Sequence, residues 1–196
     1  MKKITALILV FLVGFAFKAE ALDSAQAENF VKKVTSQGIE QIINSDVSAE
    51  EKDARFEKLF NEYLDLDYIG KFVLGRYWKT ATAKQREDFI KVYREFNIKT
   101  WSKRFDEFKG KKFDFDGTTP SSSEGQTFVN TSVKMNEGAP VKVLWRVKDG
   151  DQLKIVDIII ENVSLAITAR NEYTAYIKKA PGGVDDLIED LKQKAK

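Results

Sequence analysis

The chain contains neither cysteine nor histidine among its 196 residues. Without cysteine it can form no disulfide and no thiolate metal site, and an exported domain of this size does not depend on disulfides. Without histidine it lacks imidazole metal ligands, the Ser-His and Cys-His nucleophile pairs and the commonest general base. We therefore expect no metal site and no catalytic residues, which favours a binding protein over an enzyme.

Long hydrophobic runs are also scarce, and the one clear example lies at the N-terminus. Two lysines precede the apolar segment 4–17, and Ala19-Glu20-Ala21 follows with the small-x-small pattern that signal peptidase reads. The run is short for a membrane span, and charged residues interrupt its end, which argues against an uncleaved anchor. We expect residues 1–21 to be a secretory signal cleaved near Ala21, and the mature chain to be exported without stable membrane insertion.

Neither sign of charge dominates the mature chain. Removing residues 1–21 leaves 29 basic and 29 acidic residues. Nucleic-acid binding needs clustered lysine and arginine along a backbone track, so we expect no nucleic-acid partner. About 175 residues remain, and they suit a single domain, 22–196, around one core.

Helical periodicity dominates the first half of the chain. Four helices are predicted: one over 24–44, one from Ser48, one capped by Asp67 and ended by Gly75, and one from Thr82 to about Phe108. Ser48 and Thr82 are each followed three residues later by Glu51 or Gln85, which is the capping-box spacing.

After residue 112 the hydrophobic period changes to two. Alternation over 113–115, 128–135, 141–147 and 153–160, with turn residues between the last three segments, predicts a four-stranded antiparallel meander. The segment 117–125 is rich in Gly, Ser, Thr and Pro and is expected to be a loop. Two helices follow, the first capped by Ser164. The predicted fold is a single α+β domain with helices on one face of the sheet.

Three stretches carry a family resemblance: FEKLFNEYLDLDYIGKFVLGRYW at 56–78, TAKQREDFIKVYREF at 82–96 and KIVDIIIENVSLAITARNEY at 154–173. They resemble the Leu-Gly-x-x-Trp segment, the Thr-x-x-Gln-Arg-x-x-Phe helix and the Val-Ser-Leu and Arg-x-x-aromatic series of the MlaC or toluene-tolerance family. Glu161-Asn162-Val163-Ser164 departs from the family's usual Glu-Gly-Val-Ser. This departure leaves open a side branch that carries another lipid, such as a hopanoid.

The resemblance implies a curved sheet backed by helices, similar to the nuclear-transport-factor-like cone, with an apolar pocket for acyl chains. This family is the periplasmic lipid-binding component of the Mla phospholipid transport system. It shuttles phospholipid between an outer-membrane lipoprotein complex and an inner-membrane ABC transporter complex. The same role is expected here, with bound phospholipid as cargo, no cofactor, and a head group that stays in water without a specific polar clamp.

Aromatic residues are abundant, and they fit a filled core as well as a cavity wall. The expected lipid contacts are apolar residues of the sheet and of the helices over it: Phe72, Val73, Leu74, Trp78, Phe96, Trp101, Val133, Val143, Trp145, Ile158, Val163 and Ile167. Asp157 lies among apolar residues and would need a partner if buried. Arg170 is one choice for that partner, although Arg170 could instead pair with Glu172 on the helix surface.

Two other functions remain open from the sequence. An enzyme would have to use Asp157 with Tyr173 or Tyr176, the one carboxylate–phenol combination that the predicted fold brings together. A periplasmic adaptor would have a solid core and no ligand. Partner docking is expected of a carrier as well as of an adaptor. The charges on Lys142, Arg146 and Lys148 could steer it, but a solvated strand face accounts for them better. An apolar cavity would separate the lipid carrier from the adaptor.

Overall fold

The computed structural model describes residues 22–104 and 108–196, without the side chains of 37–39. The predicted signal sequence lies outside these residues. Within the described ranges, no helix has both the length and the apolar character needed to cross a membrane.

The N-terminal helix is interrupted where one continuous helix was predicted. It consists of α1 (Ser24–Lys33), a π-helical segment (Val34–Glu40) and α2 (Gln41–Ile43). The hydroxyls of Thr35 and Ser36 donate to carbonyl oxygens one turn earlier, at Val31 and Lys32. Such back-bonding competes with the regular helical ladder, and it lies where the ladder changes to π geometry.

The next two helices are α3 (Ala49–Tyr63) and α4 (Leu66–Leu74). Ser48 caps α3 as predicted, accepting from the Glu51 amide at 3.2 Å. The cap of α4 is Asp65 and not Asp67, because the Asp65 carboxylate accepts from the Tyr68 amide at 3.0 Å. Gly75 ends α4 at φ 59°, a backbone conformation that suits glycine.

A short helix, α5 (Tyr77–Thr80), leads into α6 (Ala83–Arg104). The predicted capping box is complete, because Gln85 N–H donates to the Thr82 hydroxyl and Thr82 N–H donates to the Gln85 side chain. The described part of α6 ends at Arg104, and the predicted continuation towards Phe108 crosses residues outside the described ranges.

The sheet has five antiparallel strands in sequential order, one more than predicted. They are β1 (Phe113–Pro120), β2 (Gln126–Val133), β3 (Val141–Lys148), β4 (Lys154–Ile160) and β5 (Val163–Ser164). The extra strand has two residues, and β1 extends into the segment predicted as a loop. Register shifts in β1 and β4 mark bulges, which bend a strand and strengthen its twist.

Two helices close the chain, α7 (Leu165–Lys179) and α8 (Val184–Lys194). Ser164 caps α7 as predicted, since its hydroxyl accepts from the Ile167 amide at 3.0 Å. Glu161 and Asn162 connect β4 to β5 with φ of 48° and 66°, the pattern of a tight two-residue hairpin turn. Asparagine tolerates this conformation well, so Asn162 can stand where the family usually has glycine.

The core lies between the helices and one face of the sheet. Val129, Val133 and Val147 point into it and are fully buried, as are Phe56 of α3 and Phe89 of α6. Helix α6 packs on α3, α4 and α8, while α7 packs on α4, α8 and β4. In this arrangement α6 and α7 lie on opposite sides of a gap over β3 and β4.

Candidate functional site

An apolar cavity of about 270 Å³ fills the gap between α6, α7 and the sheet. Its volume is close to the lower end of ligand pockets, which span about 300–1,000 Å³. The described residues that line it are Val34, Leu59, Phe60, Leu64, Leu66, Ile69, Tyr93, Phe96, Asn97, Thr100, Trp101, Arg104, Phe108, Phe113, Val143, Trp145, Ile155, Asp157, Ile158, Ile160, Leu165, Ala166, Thr168, Ala169, Glu172 and Tyr173.

Helical spacing explains why α6 and α7 form two walls of this cavity. Lining residues of α6 recur three or four positions apart, through Asn97, Thr100, Trp101 and Arg104. On α7 the small residue Ala169 contributes to the opposite wall. A short side chain there leaves the space between the two helices unfilled.

The sheet wall is apolar because its polar groups satisfy one another. The Trp145 indole N–H donates to the Thr131 hydroxyl at 3.0 Å, and that hydroxyl donates to the Val143 carbonyl at 2.7 Å. Phe113 meets the Trp145 ring edge-on, with centroids 5.7 Å apart. The cavity therefore meets the carbon surface of Trp145 rather than an unpaired N–H.

Asp157 lines the cavity, yet its carboxylate is bound to the start of α7. It is 6% exposed and accepts from the Ser164 hydroxyl at 2.6 Å and from the Ala166 amide at 3.1 Å. A carboxylate at a helix N-terminus is stabilised by the helix dipole as well as by these bonds. Asp157 thus anchors α7 to β4.

Arg170 does not pair with Asp157, because among the described residues no hydrogen bond or ion pair joins them, and the Asp157 carboxylate accepts from Ser164 and Ala166 instead. The Arg170 guanidinium lies 4.8 Å above the ring of Phe72. It also lies beside Gly75, where an added Cβ would stand 3.1 Å from the Arg170 Nε. Within the described residues Arg170 forms no ion pair with Glu172 either.

The two buried tyrosines that line the cavity, Tyr93 and Tyr173, are held in their neutral form. Burial is the main cause that raises the pKa of both the Tyr93 and the Tyr173 phenol. Their rings meet edge-on, with centroids 6.3 Å apart. The carboxylate of Asp157 hydrogen-bonds to Ser164 and Ala166, and the hydroxyl of Tyr176 donates to the Asp186 carbonyl at 3.5 Å. No hydrogen bond among the described residues joins this carboxylate to either phenol named in the enzyme alternative.

Five of the twelve residues expected to contact lipid line the cavity: Phe96, Trp101, Val143, Trp145 and Ile158. The other seven lie elsewhere. Val73, Leu74 and Val133 are fully buried in the packed core. The rings of Phe72 and Trp78 lie beneath the guanidinium groups of Arg170 and Arg86. Val163 and Ile167 are 54% and 50% exposed at the β5–α7 junction.

Sequence reasoning missed the α3 and α4 wall of the cavity, from Leu59 to Ile69, and the polar residues of α6. The polar set could have been found from spacing alone, because Asn97, Thr100 and Arg104 share a helical face with Trp101. The α3 and α4 residues give no such signal, since they read as ordinary core positions. Among the described residues, no cluster of three or more potential metal ligands occurs.

Comparison with known proteins finds similar sequences and a similar fold. A curated relative from Haemophilus influenzae, the intermembrane phospholipid transport system binding protein MlaC, is 25% identical over 139 residues. That alignment covers 68% of this chain and 63% of the relative, so the match spans less than two thirds of its length.

A solved structure shares the fold. It is the phospholipid-binding protein from Ralstonia solanacearum in complex with a phospholipid, with a TM-score of 0.74 and 21% identity. The match covers 86% of this chain and 96% of that one.

The family model described as MlaC protein matches residues 25–193, a range that leaves out only the first residue of α1 and the last residue of α8 among the described elements. The same range contains the cavity and the stretches on which the sequence resemblance rested. The chain therefore belongs to the MlaC protein family.

Proposed function

We propose that this protein is a carrier that encloses phospholipid acyl chains in the cavity between α6, α7 and the sheet. The observation that carries the proposal is an apolar cavity whose described sheet wall presents the carbon surface of Trp145, with the indole N–H bonded to Thr131. A phospholipid-bound structure of the same fold and the name of the Haemophilus relative support the choice of ligand.

The physical need for such a cavity follows from the ligand. Two tails with about 30 methylenes, at about 0.8 kcal/mol each, would cost about 24 kcal/mol to expose to water. A carrier must offset most of this cost without binding so tightly that the lipid cannot leave. An apolar wall meets both conditions, because it resembles the interior of a bilayer.

The proposed tail contacts are the five expected residues that line the cavity, namely Phe96, Trp101, Val143, Trp145 and Ile158. The seven expected residues outside the cavity are not included. Leu59, Phe60 and Ala169 are added, because they line the same space from α3 and α7.

We also propose that the protein acts in the periplasm, after removal of residues 1–21. There it would shuttle lipid between an outer-membrane lipoprotein complex and an inner-membrane ABC transporter complex. The family membership and the name of the Haemophilus relative support this setting. The protein would act as a carrier and not as an enzyme, with lipid as cargo and no metal or other cofactor.

The first experiment identifies the cargo. The mature protein is purified from its host compartment and extracted with organic solvent, and the extract is examined by mass spectrometry. Phospholipid at a near-equal molar ratio supports the proposal. A hopanoid would point to the side branch of the family, and an extract without lipid would contradict the carrier function.

A pair of variants on one helix then tests the location. Ala169 lines the cavity, whereas Ala175 is exposed on α7 outside it. In Ala169→Trp the indole displaces about five methylenes of a tail, which at about 0.8 kcal/mol each weakens binding by about 4 kcal/mol. Ala175→Trp should keep the lipid content of the wild type. Equal lipid content in the two variants would show that the tails do not occupy this cavity.

A further inference from the structure

Arg104 occupies a distinctive position at the edge of the cavity. It lies in the last described turn of α6, is exposed, and lines the same space as Trp101. Its guanidinium lies over the Trp101 ring, 5.6 Å from the centroid. Arg104 is the one basic residue among the described residues that line the cavity. A positive charge therefore lies where an enclosed tail would reach solvent.

The donors of Arg104 are not used by the described part of the protein. Within residues 22–104 and 108–196 its side chain forms no hydrogen bond and no ion pair. Other arginines of the chain are engaged, for example Arg55 with Glu51 at 2.8 Å and Arg94 with Asp67 at 3.3 Å. Stacking on Trp101 limits the orientations of the guanidinium without occupying its N–H groups.

Among the described residues that line the cavity, neither acidic residue forms an ion pair with Arg104. Asp157 is buried and accepts from Ser164 and Ala166. Glu172 lies on α7, across the cavity, and forms no ion pair with Arg104. An anionic ligand group held beside Trp101 would therefore meet a cation.

We propose that Arg104 binds the phosphodiester of the lipid head group while the tails occupy the cavity, an inference that rests on the proposed function. A guanidinium presents a planar set of donors that matches two phosphate oxygens, and such charge-assisted pairs are stronger than neutral hydrogen bonds. An uncharged lipid with the same tails gains nothing from this residue. Arg104 thus makes the carrier selective for phospholipids, contrary to the expectation that the head group needs no polar clamp.

The test compares two lipids that differ at the head group. Delipidated mature protein is titrated with a fluorescent phosphatidylglycerol and with diacylglycerol carrying the same tails. In Arg104→Gln we expect phosphatidylglycerol affinity to fall about tenfold, the size expected for a lost hydrogen bond to a charged group. Diacylglycerol affinity should stay unchanged. Arg104→Lys should recover part of the loss, since it restores the charge without the planar fork.

Arg86 supplies a matched control. Its guanidinium lies 5.5 Å from the centroid of Trp78, the same arrangement at a site outside the cavity. Arg86→Gln and the exposed neighbour variant Lys103→Gln should both bind the two lipids as the wild type does. Thermal melting of every variant establishes that it is folded.

Three results would overturn the assignment. They are an unchanged preference in Arg104→Gln, an equal loss for both lipids, and the same loss in either control. If glycerophosphoglycerol, which has no tails, displaces the lipid at micromolar concentration, the site binds a free phosphodiester and the assignment to a lipid also fails. A wild type that binds neither lipid would instead contradict the proposed function itself.

Discussion

Replacing Asp157 by alanine tests the anchor between β4 and α7. The carboxylate is 6% exposed and accepts from the Ser164 hydroxyl at 2.6 Å and from the Ala166 amide at 3.1 Å. A hydrogen bond to a charged group contributes about 1.5–3 kcal/mol, and Ser164 keeps its own bond to the Ile167 amide. Because the two bonds share one acceptor group, we expect a loss of about 3 kcal/mol in the free energy of unfolding.

The assay is chemical and thermal unfolding of the mature protein. For a domain of about 150–250 residues, each kcal/mol shifts Tm by about 2–4 °C, so Asp157→Ala should melt about 6–12 °C lower. The exposed control Asp151→Ala should stay within about 0.5 kcal/mol of the wild type. The double variant with Ser164→Ala should lose less than the sum of the single losses, since both remove the same hydrogen bond.

Lipid content separates this structural role from a role in binding. In Asp157→Ala the lipid content per folded molecule should fall by a smaller fraction than the free energy of unfolding, because alanine leaves the cavity apolar. A variant that melts like the wild type but purifies without lipid would refute the reasoning. The carboxylate would then contact the cargo rather than hold α7.

Two further predictions concern stability alone. Burial raises the pKa of Tyr93 and Tyr173. Their contribution to the free energy of unfolding is therefore complete below the unfolded pKa of about 10. As pH rises above that value, the free energy of unfolding falls by about 1.4 kcal/mol per pH unit for each phenol. Urea unfolding across this range should show the decline, Tyr93→Phe should make it less steep, and a flat profile would contradict it. Asn162 lies in the left-handed region, so Asn162→Gly should change the free energy of unfolding by less than about 1 kcal/mol, whereas Asn162→Val should lower it by about 1–2 kcal/mol. Equal melting temperatures of the two variants would disprove the turn assignment.

Helix caps show which parts of this fold are encoded locally. Ser48, Thr82 and Ser164 were predicted correctly, because a cap depends on groups within three or four residues. The cap of α4 was misplaced by two residues, because a distant contact decides it. The amide of Asp65 donates to the Ile155 carbonyl of β4 at 3.0 Å, which fixes the chain just before the helix begins.

The cavity was only partly predictable for a related reason. Alternation along β3 correctly placed Val143 and Trp145 on the inner face, and helical spacing placed Trp101. Periodicity identifies a buried face, but it does not say whether the opposite side is filled. Phe72 and Trp78 lie outside the cavity, where Arg170 and Arg86 cover their rings, and contacts between arginines and aromatic rings have no sequence pattern.

The pairing of Trp145 with Thr131 affects how a ligand would bind in the cavity. Because the Trp145 indole N–H and the Thr131 hydroxyl are already bonded, this described part of the wall offers a hydrocarbon chain no donor that would fix its register. Length and thickness, rather than the position of a double bond, would then decide which chains fit. Such a wall would hold an acyl chain by shape alone, so the chain could enter or leave without breaking a polar contact with the wall.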